Sequence, residues 1–237
     1  MDKRGEVQMS KSLYLVCGAG ETGVAVTTGI LKQGYRAVVI DIDEEKLERI
    51  TDPAEDIGLV RGDVLDDDVL KSAGIEDAQG LFATLSEDRE NALLCLSARR
   101  INPDLHIVAR VKNQETEPKL RLVGVNAVVN QSRVEGFRIS SVMLRPDVVS
   151  LTDQMLFNPD CEHAYQSIPV PEGSSVSNRR IDRLDITRKT GVVLIAVRRS
   201  SGKMVYNPGP REKIREGDAL ISFATPGEVE AITALLK

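Results

Sequence analysis

The chain contains no tryptophan, and aromatic residues make up only 3% of it. Its aliphatic-rich composition suits parallel strands buried beneath helices and argues against a β-sandwich or a repeat array. Cysteine is limited to Cys17, Cys95 and Cys161. Their odd number and unrelated spacings match no zinc pattern, and they read as free thiols in a reducing compartment. No long basic run occurs and the formal net charge is −5, which argues against non-specific binding to nucleic acid. No apolar stretch approaches the length needed to cross a bilayer. Residues Met1 to Lys11 are polar and lack the apolar core of a secretory signal. Together these absences predict a soluble cytoplasmic polypeptide, and 237 residues suit two domains.

Catalytic groups are equally sparse. The only histidines, His106 and His163, read as surface or satisfied polar residues rather than general bases. Neither Lys112 nor Tyr165 belongs to a recognisable proton relay. There is no nucleophile elbow, no Walker lysine and no zinc spacing. The sequence favours binding over turnover, and no catalytic residue or metal ligand is assigned.

What is present starts with Gly18-Ala19-Gly20-Glu21-Thr22-Gly23, directly after the apolar run Leu13 to Cys17. A second strand, Arg36 to Ile40, ends on Asp41, 18 residues after Gly23. Strand, glycine turn, helix and strand-terminal acid together form a dinucleotide-binding fingerprint. Gly18 permits the tight turn, Gly20 lets backbone approach a pyrophosphate, and Gly23 allows close helix–strand packing. The helix N-terminus offers its amides to phosphates. Asp41 is placed to accept hydrogen bonds from a ribose, and its charge favours NAD(H) or ATP/ADP over a 2′-phosphorylated dinucleotide. Asp43 and Asp63 lie just beyond strand ends, with Ile42, Val64 and Leu85 as neighbours. Asp63 suits either the base side of the cleft or a helix-approach turn. Thr84 ends the fourth strand. Arg110 ends the fifth as a lone cation among apolar residues, suited to phosphate contact or to a structural ion pair.

The surrounding pattern alternates. Helical spacing of Val24, Thr28 and Leu31 runs up to Gly34, a C-cap. Glu44 to Ile50 is a second helix and Ile57 to Val60 a third strand. Asp66-Asp67-Asp68 reads as a helix N-terminus, since it lacks calcium-loop spacing. Gly80 to Thr84 is strand four, Asn91 to Ile101 a helix buried at Leu94 and Ala98, Ile107 to Val111 strand five, Pro118 to Val123 a helix, and Ala127 to Val129 strand six. This is an α/β fold, a Rossmann-like doubly wound parallel sheet, over residues 12–132.

Residues 133–158 read as two apolar helices, Arg133 to Leu144 and Asp147 to Phe157, broken at Arg145-Pro146. They either cover their own domain or form a hinge and dimer interface. Asn158-Pro159-Asp160 is the linker. Residues 159–237 form a small α+β module, with strands at Tyr165 to Val170, Val192 to Val197 and Ala219 to Ala224, a hairpin turn at Ser200 to Lys203 and a closing helix from Gly227 to Leu236.

These residues resemble a known family. Tyr14 to Asp63, Ala83-Thr84, Asn91 to Leu94, Val108 to Val111 and Leu122 to Arg133 are similar to the RCK (regulator of K+ conductance) domain, also called KTN or TrkA-N. Ile168 to Gly173, Thr190 to Val192, Asn207-Pro208 and Glu216 to Asp218 are similar to the companion TrkA-C domain. The resemblance implies a cytosolic ligand-sensing subunit or domain at the inner face of the membrane, controlling potassium flux through a channel or transporter partner. It implies homodimers, joined by the helices after the sheet, that stack into an octameric gating ring. Some family rings are gated by calcium through carboxylates at the ends of strands four and five. Here those positions are Thr84, Arg110 and Lys112, which form no hard-cation cage; calcium near Asp63 or Asp66 to Asp68 stays open. Arg145 to Val149 and Asp153 to Leu156 resemble the ligand-gated channel branch. The competing readings are an NAD-dependent oxidoreductase, a calcium-gated ring with an empty nucleotide cleft, and a structural oligomerisation protein.

Overall fold

The structure is a computed structural model that describes residues 12–50, 56–157 and 163–237. The segment Met1 to Lys11, the linker at Asn158-Pro159-Asp160 and Cys161 lie outside the described residues. The chain divides into two compact units, one through Ile139 and one from Ser140.

The first unit alternates throughout: β1 (Leu13–Cys17), α1 (Glu21–Lys32), β2 (Arg36–Asp41), α2 (Glu44–Glu48), β3 (Ile57–Arg61), α3 (Asp67–Ser72), β4 (Gly80–Ala83), α4 (Asp88–Ile101), β5 (His106–Val111), α5 (Glu117–Leu122) and β6 (Ala127–Asn130), then α6 (Gln131–Leu144). The six strands are all parallel, in the order β3-β2-β1-β4-β5-β6. Successive strand residues point to opposite faces, and each face has its own core. Leu15, Cys17, Ile40, Leu81 and Ile107 pack with Leu70 of α3, Leu94 of α4 and Leu120 of α5 on one side. Val16, Ala37 and Val39 pack with Ile30 of α1 and Leu47 of α2 on the other. Burial on both faces explains why these strands read as unbroken apolar runs. Each fully buried leucine contributes about 1.5–3 kcal/mol.

Two expectations about these helices need correcting. The buried face of α1 is Gly23, Thr27 and Ile30, one position away from Val24, Thr28 and Leu31; Val24 is 37% exposed. Gly23 decides this. A Cβ on it would stand 1.8 Å from Gly18 O, so the helix must turn this side-chain-free position onto the glycine loop, and Thr27 and Ile30 follow at helical spacing. Helix α4 begins at Asp88 rather than Asn91, because Asp88 accepts hydrogen bonds from the Lys112 and Asn113 amides at 2.8 and 2.9 Å. Gly34 adopts φ +77° just past α1. Asp66 caps α3 by accepting from Asp68 N.

In the second unit, α7 (Pro146–Phe157) precedes β7 (Ala164–Pro169), α8 (Ile181–Leu184), α9 (Ile186–Thr190), β8 (Val193–Arg198), β9 (Met204–Tyr206), β10 (Ala219–Ala224) and α10 (Pro226–Leu236). The antiparallel sheet runs β7-β10-β8-β9. Its core gathers Ile168, Leu184, Val197, Leu220 and Ile232. Thr225 and Glu228 form a reciprocal capping box at the start of α10. The short α8, α9 and β9 were not expected from the sequence. Asp185, at φ 52°, separates the two helices, so neither is long enough to show a period. Arg199 opens the β8–β9 turn, and its largely buried side chain donates to Asp218 at 2.5 Å and to Glu212.

Helix α6 has no buried residue. It exposes Val134, Phe137, Ile139, Val142, Met143 and Leu144. None of the described helices is long and apolar enough to cross a membrane.

Candidate nucleotide cleft

The cleft lies at the carboxyl edge of the parallel sheet, where β1 and β4 lead off in opposite directions, the position at which open α/β sheets bind ligands. The three glycines do different things there. Gly18 has φ +107°, and its amide donates to Ile40 O at 2.8 Å. Gly23 abuts the Gly18 carbonyl as described. Gly20 has φ −72°, a value open to any residue, yet a Cβ built on it meets no atom within 4 Å. The open space above Gly20 is where a pyrophosphate would approach. Gly20 is also the N-cap of α1 and no side chain caps that helix, so its first-turn amides and positive dipole end face the cleft.

Asp41 is buried, and its carboxylate accepts from Ala19 N at 2.6 Å and from Asp43 N at 2.9 Å. One carboxylate therefore holds the glycine turn and the end of β2 in register while retaining lone pairs for a ribose. Asp43 caps α2 by accepting from Glu45 N. Asp63 Oδ1 accepts from Leu65 N at 2.9 Å, the helix-approach turn that was one of its two readings. Asp41, Ile42, Asp63 and Val64 nonetheless line one cavity of about 210 Å³, with Leu85 and Glu90 opposite. Val64 is buried and Ile42 is 69% exposed.

Gly18, Gly20, Glu21, Thr22, Asp41, Thr84, Leu85 and Arg110 line an adjoining cavity of about 310 Å³. Ala19 and Gly23 are absent from this wall; Ala19 is buried against the core and Gly23 faces the loop. The single hydroxyl proton of Thr84 is shared between Cys17 O and Gly18 O, at 2.9 and 3.1 Å, and so secures the turn. Arg110 Nη1 donates to Thr22 Oγ1 at 3.0 Å and Nη2 to Leu85 O at 3.1 Å. These acceptors are a hydroxyl and a carbonyl rather than the carboxylate of a structural ion pair. The guanidinium bridges the first turn of α1 to the loop after β4, and its Nε is buried without a partner. Beyond it a third cavity, about 400 Å³, is mostly apolar, with Val26, Phe82, Val108, Val129 and Val134 among its walls.

Two residues without an assigned role in the sequence reading matter here. Asn91 is fully buried; its Oδ1 accepts from Leu85 N and its Nδ2 donates to Leu85 O and Arg110 O, each at 3.0 Å. It ties the ends of β4 and β5 together. An amide in step with Leu94 and Ala98 on a buried helix face was the available signal. Gln131 begins α6 and lines two of the three cavities, and nothing local marked it.

No histidine lines these cavities, and His106 and His163 are both exposed. Lys112 lines a separate groove with Asp88 and Lys119. Among the described residues no group of His, Cys, Asp or Glu is arranged to hold a metal ion. Burial pushes the Cys17 thiol far above its ordinary range, with Cys95 adding to the effect, and pushes Cys95 up to about 12.

Comparison with known proteins agrees with this geometry. Residues 14–131 match the TrkA-N domain and residues 165–237 the TrkA-C domain. The chain is 30% identical over 219 residues to potassium channel protein 1 of Methanocaldococcus jannaschii, covering 92% of this chain and 65% of that protein. Among solved structures, the GsuK RCK domain is 22% identical with a TM-score of 0.51, covering 98% of this chain and 48% of that one. The GsuK channel bound to NAD gives 22% and 0.50, covering 95% and 38%. The human SLO3 gating ring gives 15% and 0.67, covering 93% and 46%. The chain thus spans about two thirds of the channel relative and half or less of the solved chains. With a TrkA-N domain carrying the cleft and a TrkA-C domain following it, the chain belongs to the RCK family of potassium channel and transporter regulatory domains.

Proposed function

We propose that this chain senses an adenine nucleotide, NAD(H) or ATP/ADP, and regulates a potassium channel or transporter at the inner face of the membrane without turning the nucleotide over. The observation that carries the reading is the pairing of an uncapped α1 N-terminus beneath the open space at Gly20 with Asp41 at one end of the cleft and Arg110 at the other. The NAD-bound GsuK channel, which shares the fold, supports NAD(H) as the first candidate. The exposed apolar residues of α6 support assembly with further copies of the chain into a dimer and ring, the hinge-and-interface reading of residues 133–158. A ligand controls such a ring only by binding one of its shapes better than another.

Calorimetry of the purified chain against NAD+, NADH, ATP, ADP and calcium tests the proposal. Nucleotide binding at or below millimolar concentration is expected. Calcium binding with no nucleotide binding overturns the assignment of the cleft. Robust nicotinamide turnover with a broad substrate panel would instead favour an oxidoreductase.

A further inference from the structure

The second unit carries charge of the opposite sign to the chain as a whole. Residues 163–237 hold twelve Lys and Arg against eight Asp and Glu, while the full sequence holds 31 against 36. Segregation of this kind favours an anionic partner for the basic part. Backbone pairing gathers the cations. Residues 178–182 run antiparallel beside residues 210–214: Ile181 N donates to Glu212 O and Asn178 N to Ile214 O, at 2.9 and 2.8 Å, around a bridge between Arg180 and Lys213. The β8–β9 turn joins them, because Arg199 Nη1 donates to Lys213 O at 2.8 Å. Three separate segments thus bring Arg179, Arg180, Arg199, Lys203, Lys213 and Arg215 into one neighbourhood.

A cavity of about 670 Å³ lies among them, walled by Ser200, Ser201, Lys203 and Arg215, with Arg199, Glu212 and Asp218 also lining it. That volume is within the usual range of small-molecule sites. Both acids are already committed. Arg199 pairs with each of them, Asp218 Oδ2 also accepts from Arg215 N at 2.9 Å, and the Asp218 side chain is buried. Lys203 and Arg215 are exposed, and among the described residues their side chains form no hydrogen bond or ion pair; the same holds for the Ser200 and Ser201 hydroxyls. Lys and Arg side chains can only donate, and serine hydroxyls can also donate. The group that suits all four is an anion with several acceptor oxygens. A phosphoryl group offers three and carries more charge than a carboxylate, which offers two.

We propose that this cavity binds a phosphoryl group, of a soluble compound or of a lipid headgroup, through Lys203 and Arg215, with Ser200 and Ser201 as further donors. The site is separate from the nucleotide cleft and stands or falls without it.

The test is calorimetric titration with pyrophosphate of the full chain, the double variant Lys203→Gln/Arg215→Gln, the equal-charge control Lys189→Gln/Lys237→Gln, and Gly20→Ala. Lys189 and Lys237 are exposed and do not line the cavity. Wild-type binding should weaken with added KCl. It should fall by about tenfold or more in the Lys203/Arg215 variant and persist in the other two. Co-sedimentation with phosphatidylglycerol vesicles, against phosphatidylcholine, separates the sources: sedimentation lost in the Lys203/Arg215 variant assigns a headgroup, and pyrophosphate binding without sedimentation assigns a soluble ligand. Equal losses in the Lys203/Arg215 and Lys189/Lys237 variants reduce the effect to net charge and overturn the site. Pyrophosphate binding lost in Gly20→Ala but kept in the Lys203/Arg215 variant puts the anion in the nucleotide cleft, which overturns this inference and supports the nucleotide reading. Binding to neither probe also overturns it. Should the double variant melt early, Lys203→Gln and Arg215→Gln are read singly, each with about a fivefold loss expected.

Discussion

Replacing Gly20 by alanine separates the cleft's function from its folding. The backbone there, φ −72° and ψ −178°, suits any L-residue, and the added methyl meets no protein atom within 4 Å. Alanine restricts the unfolded chain and so stabilises by about 0.4–1 kcal/mol. Gly20 is also an N-cap, where alanine is disfavoured by a similar ~0.5–1 kcal/mol. The two effects offset, and the unliganded melting temperature should stay within about 4 °C of wild type. A methyl group in the path of the pyrophosphate displaces it from the first-turn amides of α1. Loss of one hydrogen bond to a charged group, about 1.5–3 kcal/mol, weakens nucleotide binding by roughly 10- to 150-fold. The companion variant Gly23→Ala should behave in the opposite way, because its Cβ would lie 1.8 Å from Gly18 O and 2.9 Å from Gly18 C, both backbone atoms that cannot swing aside. Overpacking of that kind costs about 2 kcal/mol or more, a loss of roughly 5–10 °C. Thermal melts without ligand and calorimetry with nucleotide read the two effects separately. If Gly20→Ala melts as low as Gly23→Ala, or binds nucleotide like wild type, the space above Gly20 is not a phosphate site.

Other outcomes follow from the same structure. Asp41→Ala strands the buried Ala19 amide, whereas water can replace the partner of the more accessible Asp43 amide; urea denaturation should show a loss of about 1–3 kcal/mol together with weaker nucleotide binding. Burial raises the Asp88 carboxyl, but hydrogen bonds from the Lys112 and Asn113 amides and the Thr116 hydroxyl, with the Lys112 charge, outweigh it and leave its pKa below the ordinary value. A depressed pKa means that Asp88 stabilises the fold fully above its unfolded value of about 4, and that this contribution is lost as pH falls from there through the folded value. Melting temperatures of wild type and Asp88→Asn should therefore converge on acidification, and a constant gap would refute the assignment. Cys17 and Cys95 should resist alkylation in the native protein at neutral pH and react on unfolding, as read by peptide mass spectrometry. Arg199→Ala leaves Asp218, whose side chain is 1% exposed, as an uncompensated buried charge; the second unit should lose about 3–5 kcal/mol in denaturant melts.

How much of this was legible in the sequence depended on how local the determining contacts are. Strands buried on both faces announce themselves as apolar runs, and Gly18, Gly34 and Asp41 mark where such runs turn. The α1 face was misjudged by one position because the governing contact, Gly23 against Gly18 O, is a backbone approach that apolar counting cannot see. The start of α4 depends on amides 24 and 25 residues downstream of Asp88. Arg110 was visible as an odd cation at a strand end, but its partner Thr22 lies 88 residues away and only the sheet order brings them together. Gln131 had no signal beyond lying in the family-like run Leu122 to Arg133. Its place in the cleft comes from β6 ending beside β5, and one more polar residue after a strand carries no such information.

The cleft residues divide by what their polar atoms already hold. Asp41, Thr84 and Asn91 spend hydrogen bonds on backbone: Asp41 on Ala19 and Asp43, Thr84 on Cys17 and Gly18, Asn91 on Leu85 and Arg110. They fix the loops at the ends of β1, β2, β4 and β5 before any ligand arrives, which lowers the ordering cost of binding. The space over Gly20 is open, and Arg110 Nε and Gln131 Oε1 have no partner in the protein. Truncating a member of the first set should therefore lower stability and affinity together. Changing Gly20 should lower affinity alone. Thr84→Val makes the sharpest comparison with Gly20→Ala: it removes the one hydroxyl proton shared inside the turn at nearly constant volume, so it should lower the unliganded melting temperature as well as nucleotide affinity. A loss of nucleotide affinity in Thr84→Val with an unchanged melt would mean that the threonine hydroxyl meets the ligand itself, and that the division is drawn in the wrong place.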